Sequence, residues 1–276
     1  MAVNKGAIMK LNEFLNKYPV FRLDEIDHFL EKRGEATASK RNSLLSYYRR
    51  QGRVITVRRK LYVTVPYGAS PQSHPVDPFL IAAKMTPDAV LAYHTALEFH
   101  GKAYSVFNRF YYLSDSKSVP VRFRDYQFRC VKTPHALKSK GEEKFAVVQA
   151  ERAGLDIKVA SLERTLVDVL DRPDISGSWE EIWRSLESIE FFDIDKVIEY
   201  TLLLGNATTA AKVGFFLDQH RDTLMVDDSH LKSLGDLRPR QPHYLERSKR
   251  KSGRLVSAWN LVVPEDIIER SWMEVL

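Results

Sequence analysis

Cysteine occurs once in the 276 residues, at Cys130. A lone thiol cannot close an internal disulfide or build a multi-thiolate metal site. No stretch approaches the ~18 uninterrupted apolar residues that a membrane-spanning helix needs. The opening MAVNKGAIMKLNEF has neither the apolar run nor the small-residue cleavage site of a secretory signal. Internal repeats and low-complexity tracts are missing too. So are the short motifs of catalysis: there is no GxSxG, P-loop or GxGxxG, and the 8 histidines never fall into HExxH or another metal-ligand spacing. These absences lead to the expectation of a cytoplasmic chain that is not an enzyme, with no catalytic residues, metal, cofactor or membrane partner.

What is present is core-forming material and charge. Hydrophobic residues make up 44% and charged residues 28%, a balance that supports a folded core and argues against disorder. The length leaves room for a small domain and a larger one. The net charge of +6 is uneven: residues 1–68 hold 14 Lys+Arg against 6 Asp+Glu, and the remainder holds 28 against 30. The basic excess is therefore assigned to the first quarter. From Ala36 to Val65 there are eight basic residues and no acid. A surface of one sign needs a polyanionic partner to offset its self-repulsion, and nucleic acid leads the candidates.

The periodicity of this quarter gives it a shape. KGAIMKLNEFLNKY places Ile8, Leu11, Phe14 or Leu15, and Tyr18 on one helical face, and Pro19 ends it. LDEIDHFLEKRG forms a second short helix, with acids in its first turn and Lys32 and Arg33 in its last. After Gly34 a third, basic helix starts near Thr37 or Ser39 and runs to about Gln51. Its wheel turns Leu44, Leu45 and Tyr48 inward, and Ser39, Asn42, Ser43, Ser46 and Arg50 outward, with Lys40, Tyr47 and Arg49 at the edges. Arg41 points toward the core side without an obvious partner. Short polar groups that reach base edges, flanked by arginines for phosphates, are what a major-groove reader requires. RVITVRR and KLYVTV then alternate as two paired strands, reversing at Arg58, Arg59 and Lys60 without the usual Gly or Asn. Three cations at a hairpin tip suit a wing laid along phosphates.

The expected fold class is α+β: a winged helix-turn-helix over 1–68, a Pro-rich linker over 69–78, and a larger mixed α/β effector domain over 79–276. In the large domain, helices are expected at FLIAAKM, around AVLAYHTALEFHG and at SLERTLVDVLD, with three more from Trp179 to Asp222. Strands are expected at RFYYLS, YQFRCVK and KFAVVQA, and the tail from Asp236 reads as loop up to the strand SAWNLVVP. His94 and His100 flank an apolar helix as structural residues, and Asp168 reads as solvated. Cys130 lies in a strand as a buried, inert thiol. Arg247, Lys249, Arg250 and Lys251 sit in a segment, Arg238 to Arg254, that holds seven basic residues and the single acid Glu246. They are the candidates for a second anion-binding or antitoxic surface.

Several of these segments resemble one family. RRKLYVTVP, AYHTALEFHG, ASLERTLVDVLDRP, KVGFFLDQH and SAWNLVVP are similar, in place and order, to motifs of the abortive-infection antitoxins called AbiEi. The wing departs from that pattern at Arg59-Lys60, where many relatives carry glycine. The resemblance implies a type IV toxin–antitoxin regulator. Its N-terminal domain would repress its own operon at inverted repeats in double-stranded operator DNA. Its large domain would counteract a nucleotidyltransferase toxin without a stable complex. Two other functions fit the same residues: a nucleic-acid-modifying enzyme targeted by the winged helix, and a ligand-sensing transcriptional regulator with no toxin.

Overall fold

The computed structural model describes residues 5–32, 34, 37–246 and 253–270, with side chains from residue 11 onward. The chain is a mixed α and β protein with three sheets. Its first part contains α1 (Lys5–Lys17), β1 (Val20–Arg22), α2 (Leu23–Glu31), α3 (Ala38–Arg50), β2 (Val54–Arg58) and β3 (Leu61–Thr64). Leu11, Phe14 and Leu15 of α1 meet Phe21, Ile26, Leu30, Leu44, Leu45, Tyr48 and Val54 in a core of their own. α2 starts where Glu25 accepts the backbone N–H of Arg22 at 2.7 Å, which satisfies a donor that the helix start leaves open.

β1 was not legible as a strand. Three residues are too few to show a period, and they become a strand by pairing antiparallel with β3, in the sheet order β1-β3-β2. The β2–β3 reversal is closed by Lys60 at φ +68°, a conformation that usually selects glycine, with a register shift between Thr56 and Arg58.

The next part contains α4 (Pro78–Ala83), β4 (Val90–Leu91), α5 (His94–Phe99), β5 (Arg109–Leu113), β6 (Val121–Phe123), β7 (Tyr126–Val131), α6 (His135–Lys140), β8 (Val147–Arg152), β9 (Leu155–Ala160) and α7 (Leu162–Asp171). Its six strands form one sheet in the order β6-β7-β5-β4-β9-β8. AVLAYHTALEFHG is not one helix. Val90 and Leu91 bridge β5 and β9 at the sheet centre, Tyr93 turns the chain at φ +58°, and only then does α5 begin. Ala89 to Leu97 is buried apart from the half-buried Val90, so the run offers no polar face by which helix and strand could be told apart.

The last part is helical, with α8 (Trp179–Glu187), α9 (Ile194–Leu204), α10 (Ala207–Gln219), α11 (Arg221–Leu224) and α12 (Asp228–Leu237). The tail is more ordered than its loop-like sequence implied: β10 (His243–Tyr244), β11 (Arg254–Val256) and β12 (Leu261–Val263) form a small sheet, followed by α13 (Glu265–Ile268). This sheet docks on α10 through Trp259, whose ring lies against Gly214. A Cβ at Gly214 would sit 2.1 Å from it. Gly214→Ala is therefore expected to lower stability by about 1–3 kcal/mol or more, read as a drop in the urea midpoint. An unchanged midpoint would show that the Trp259 contact is not close-packed.

The N-terminal sheet also shares a core with the central part of the chain. Val20, Val57, Leu61 and Val63 pack with Leu80, Ile81 and Ala82 of α4. Polar contacts reinforce the seam: Lys84 pairs with Glu25, and Arg22 reaches Thr86 O at 3.4 Å. The segment between them is tied down as well, because the Arg124 guanidinium donates to Pro71 O at 2.8 Å and to His74 O.

Candidate nucleic-acid interface

α3 is capped by Thr37, whose hydroxyl accepts the N–H of Lys40 at 3.2 Å. Its inner face, Leu44, Leu45 and Tyr48, is buried. Ser39, Asn42, Ser46, Arg49 and Arg50 are exposed, and Lys40, Ser43 and Tyr47 are half-buried. The partner missing for Arg41 is Asp27 of α2: one guanidinium nitrogen lies 2.9 and 2.8 Å from its two carboxylate oxygens. This contact cross-links α2 and α3, so α3 is presented on a braced support.

The three cations of the hairpin divide. Arg59 and Lys60 are exposed at the tip, and no ion-pair partner for them is found among the described residues. Arg58 turns inward instead, and its guanidinium donates to Met85 O just beyond α4. Arg58 belongs to the seam and cannot reach outward with its neighbours. Its place in a hairpin reads the same from sequence whichever way the side chain turns.

Between α3 and β2 runs an open groove lined by Ser46, Arg49, Arg50, Gln51, Thr56 and, from the Pro-rich segment, Pro71 and Gln72. Gly52 makes this approach possible. Its φ is +69°, and a Cβ there would lie 2.8 Å from Pro71. Arg53 then stacks its guanidinium 4.0 Å from the Tyr67 ring centre and donates to Val65 O at 2.7 Å, folding the segment back over the end of α3. Gln51, Thr56 and Gln72 were missed in the sequence, because the segment that brings Gln72 there reads only as a linker. Arg247, Lys249, Arg250 and Lys251 lie outside the described residues.

Away from this surface, the ASLERTLVDVLDRP segment forms a buried polar knot. Arg164 and Asp168 are both buried, with Arg164 Nε 3.5 Å from Asp168 Oδ2. Arg164 also donates to Glu143 O and Phe145 O at 3.1 and 2.7 Å, and the Tyr200 hydroxyl donates to Asp168 Oδ1 at 2.7 Å. Asp168 is thus not solvated as its helical spacing implied, since α9 covers it. Burial pushes its carboxyl up to about 6, against the opposing pull of Arg164 and Tyr200.

His94 is likewise enclosed, stacked 3.7 Å from Phe107, with Nδ1 2.9 Å from Glu98 and Nε2 3.0 Å from Glu181. Burial pushes the Glu181 carboxyl up, but hydrogen bonds from Ser105 and His94 outweigh it and hold it below the usual range. His100 Nε2 donates to Ala160 O at 2.8 Å. Among the described residues no group of three or more His, Cys, Asp or Glu is arranged to hold a metal, and no helix is long and apolar enough to cross a membrane.

A solved structure shares this fold. The RV2827C protein from Mycobacterium tuberculosis superposes with a TM-score of 0.61, over 99% of this chain and 96% of its own, at 14% sequence identity. At that identity the likeness to RV2827C is one of fold alone. No family model matches the chain. No curated protein matches it either.

Proposed function

We propose that the chain is a DNA-binding transcriptional autorepressor and antitoxin of a type IV toxin–antitoxin pair. In this reading α1 to β3 form a winged helix-turn-helix. α2 and α3 are the two helices of the motif, α3 enters the major groove, and the β2–β3 hairpin is the wing. The observation that carries it is the shared outward charge of α3 and the hairpin: Arg49, Arg50, Arg59 and Lys60 are exposed without ion-pair partners among the described residues. Ser39, Asn42, Ser43 and Ser46 on the same helix offer the short hydrogen-bonding groups that base edges require. The antitoxic role, with a nucleotidyltransferase toxin as functional partner, rests on the resemblance of five segments to AbiEi antitoxins.

Two measurements test the two halves. The purified protein should bind a duplex taken from upstream of its own coding sequence about a thousandfold more tightly than a scrambled duplex at physiological salt. Equal binding to both would remove the repressor reading. Co-expression should relieve growth arrest caused by a nucleotidyltransferase encoded beside it. If arrest persists at full expression, the antitoxin reading fails while DNA binding stands.

A further inference from the structure

A second cationic surface lies in the large part of the chain, where whole-region charge counting hides it. Residues 99–141 contain nine Lys+Arg and two Asp+Glu. The acids of the helical part cancel this excess in the sum but are remote from it in sequence.

The sheet register gathers part of this charge on one face. Arg109 of β5 lies beside Gln127 of β7, and Gln127 lies beside Arg122 of β6, making a row across three strands. Arg129 stands two residues further along β7, on the same face. The alternate residues, Phe110, Phe128 and Tyr126, point the other way, where Phe79 of α4 packs edge-on against Phe110 at 5.2 Å. All three arginines are exposed. Arg109 and Arg122 have no ion-pair partner among the described residues, and Arg129 reaches only the Gln127 amide, at 3.4 Å.

From this geometry we infer that the β5–β7–β6 face binds a single-stranded polynucleotide through Arg109, Arg122 and Arg129. Strand spacing places Arg109 and Arg122 about 10 Å apart at the backbone, with Arg129 about 7 Å along β7 from their row. That footprint follows one phosphodiester backbone. It is narrower than the ~12 Å major groove and wider than the ~6 Å minor groove, so it matches neither spacing at which a duplex presents its two strands. Arginine planes can also stack on unpaired bases, and the Gln127 amide can bond a base edge. The N-terminal unit is anchored through the end of α4, on the Phe110 side of the sheet. The arginine row faces away from α4, and the two surfaces meet where Arg124, in the β6–β7 turn, donates to Pro71 O beside the α3 groove.

The test uses the full-length protein with fluorescent 12-mers of uridine and of deoxythymidine, and the upstream duplex in parallel. Arg109→Glu, Arg122→Glu and Arg129→Glu together should weaken single-strand binding at least tenfold and lower its salt slope by about 2. Duplex binding and the circular dichroism spectrum should be unchanged. Arg49→Glu with Arg50→Glu should leave single-strand binding intact. Preference for the uridine oligomer would identify RNA as the source. The inference is overturned if wild type binds neither oligomer, if the triple variant binds as wild type does, or if it loses the duplex instead. The DNA-binding reading fails separately, on the duplex arm alone.

Discussion

Arg49→Glu with Arg50→Glu is expected to reduce affinity for the upstream duplex at least tenfold, with the fold intact. Both side chains are exposed on α3 and line the groove beside β2, so reversing them removes contacts from the surface without touching a core. Each lost phosphate contact should also lower the salt slope by about 0.9. Arg59→Glu with Lys60→Glu should act in the same way from the hairpin tip. Arg58→Glu is the informative contrast. Its guanidinium serves Met85 O in the seam, so its reversal should lower the melting temperature, and any loss of DNA binding should follow that loss of fold. Gel shifts and thermal melts on all three variants decide the matter. If the α3 reversal binds as wild type does, α3 is not the DNA-reading helix.

Arg164→Met should cost about 3–5 kcal/mol of stability at pH 8, since it leaves the buried Asp168 carboxylate without its counter-charge. The pH dependence has a definite sign. The folded Asp168 carboxyl titrates at about 6, above the ~3.9 of an unfolded chain. Its contribution to stability is therefore complete at low pH and is lost as pH rises through that window. Without Arg164 the folded value rises further, and the loss extends to higher pH. Urea melts should then find the variant closer to wild type at pH 5 than at pH 8. An equal deficit at both values would mean that Arg164 acts by packing alone, not by compensating Asp168.

Local information was most legible where a side chain's surroundings repeat along the chain. The faces of α1, α2 and α3 and the β2–β3 alternation could all be read because burial on one side imposes a period of 3.6 or 2, whereas the cap of α3 stayed open between Thr37 and Ser39. Legibility failed where burial is all-round or an element is very short. Val90 and Leu91 hid inside an apolar run, and β1, β6 and the tail strands are two or three residues long. Charge showed the same limit. The acid-free stretch from Ala36 to Val65 stood out because it is contiguous. Arg109, Arg122 and Arg129 belong to three strands and meet only through register.

The sequence by itself determined the α+β composition, the basic first quarter, the inner face of α3, and the hairpin after it. These depend on neighbours within a few residues. Tertiary structure alone decided that Arg58 turns inward while Arg59 stays out, that Arg41 meets Asp27, and that Asp168 is sealed beneath Tyr200. It also decided that the Pro-rich segment closes over the end of α3. Each of these turns on which distant surface a side chain meets, and a guanidinium or carboxylate carries no mark in the sequence of the partner or burial that awaits it.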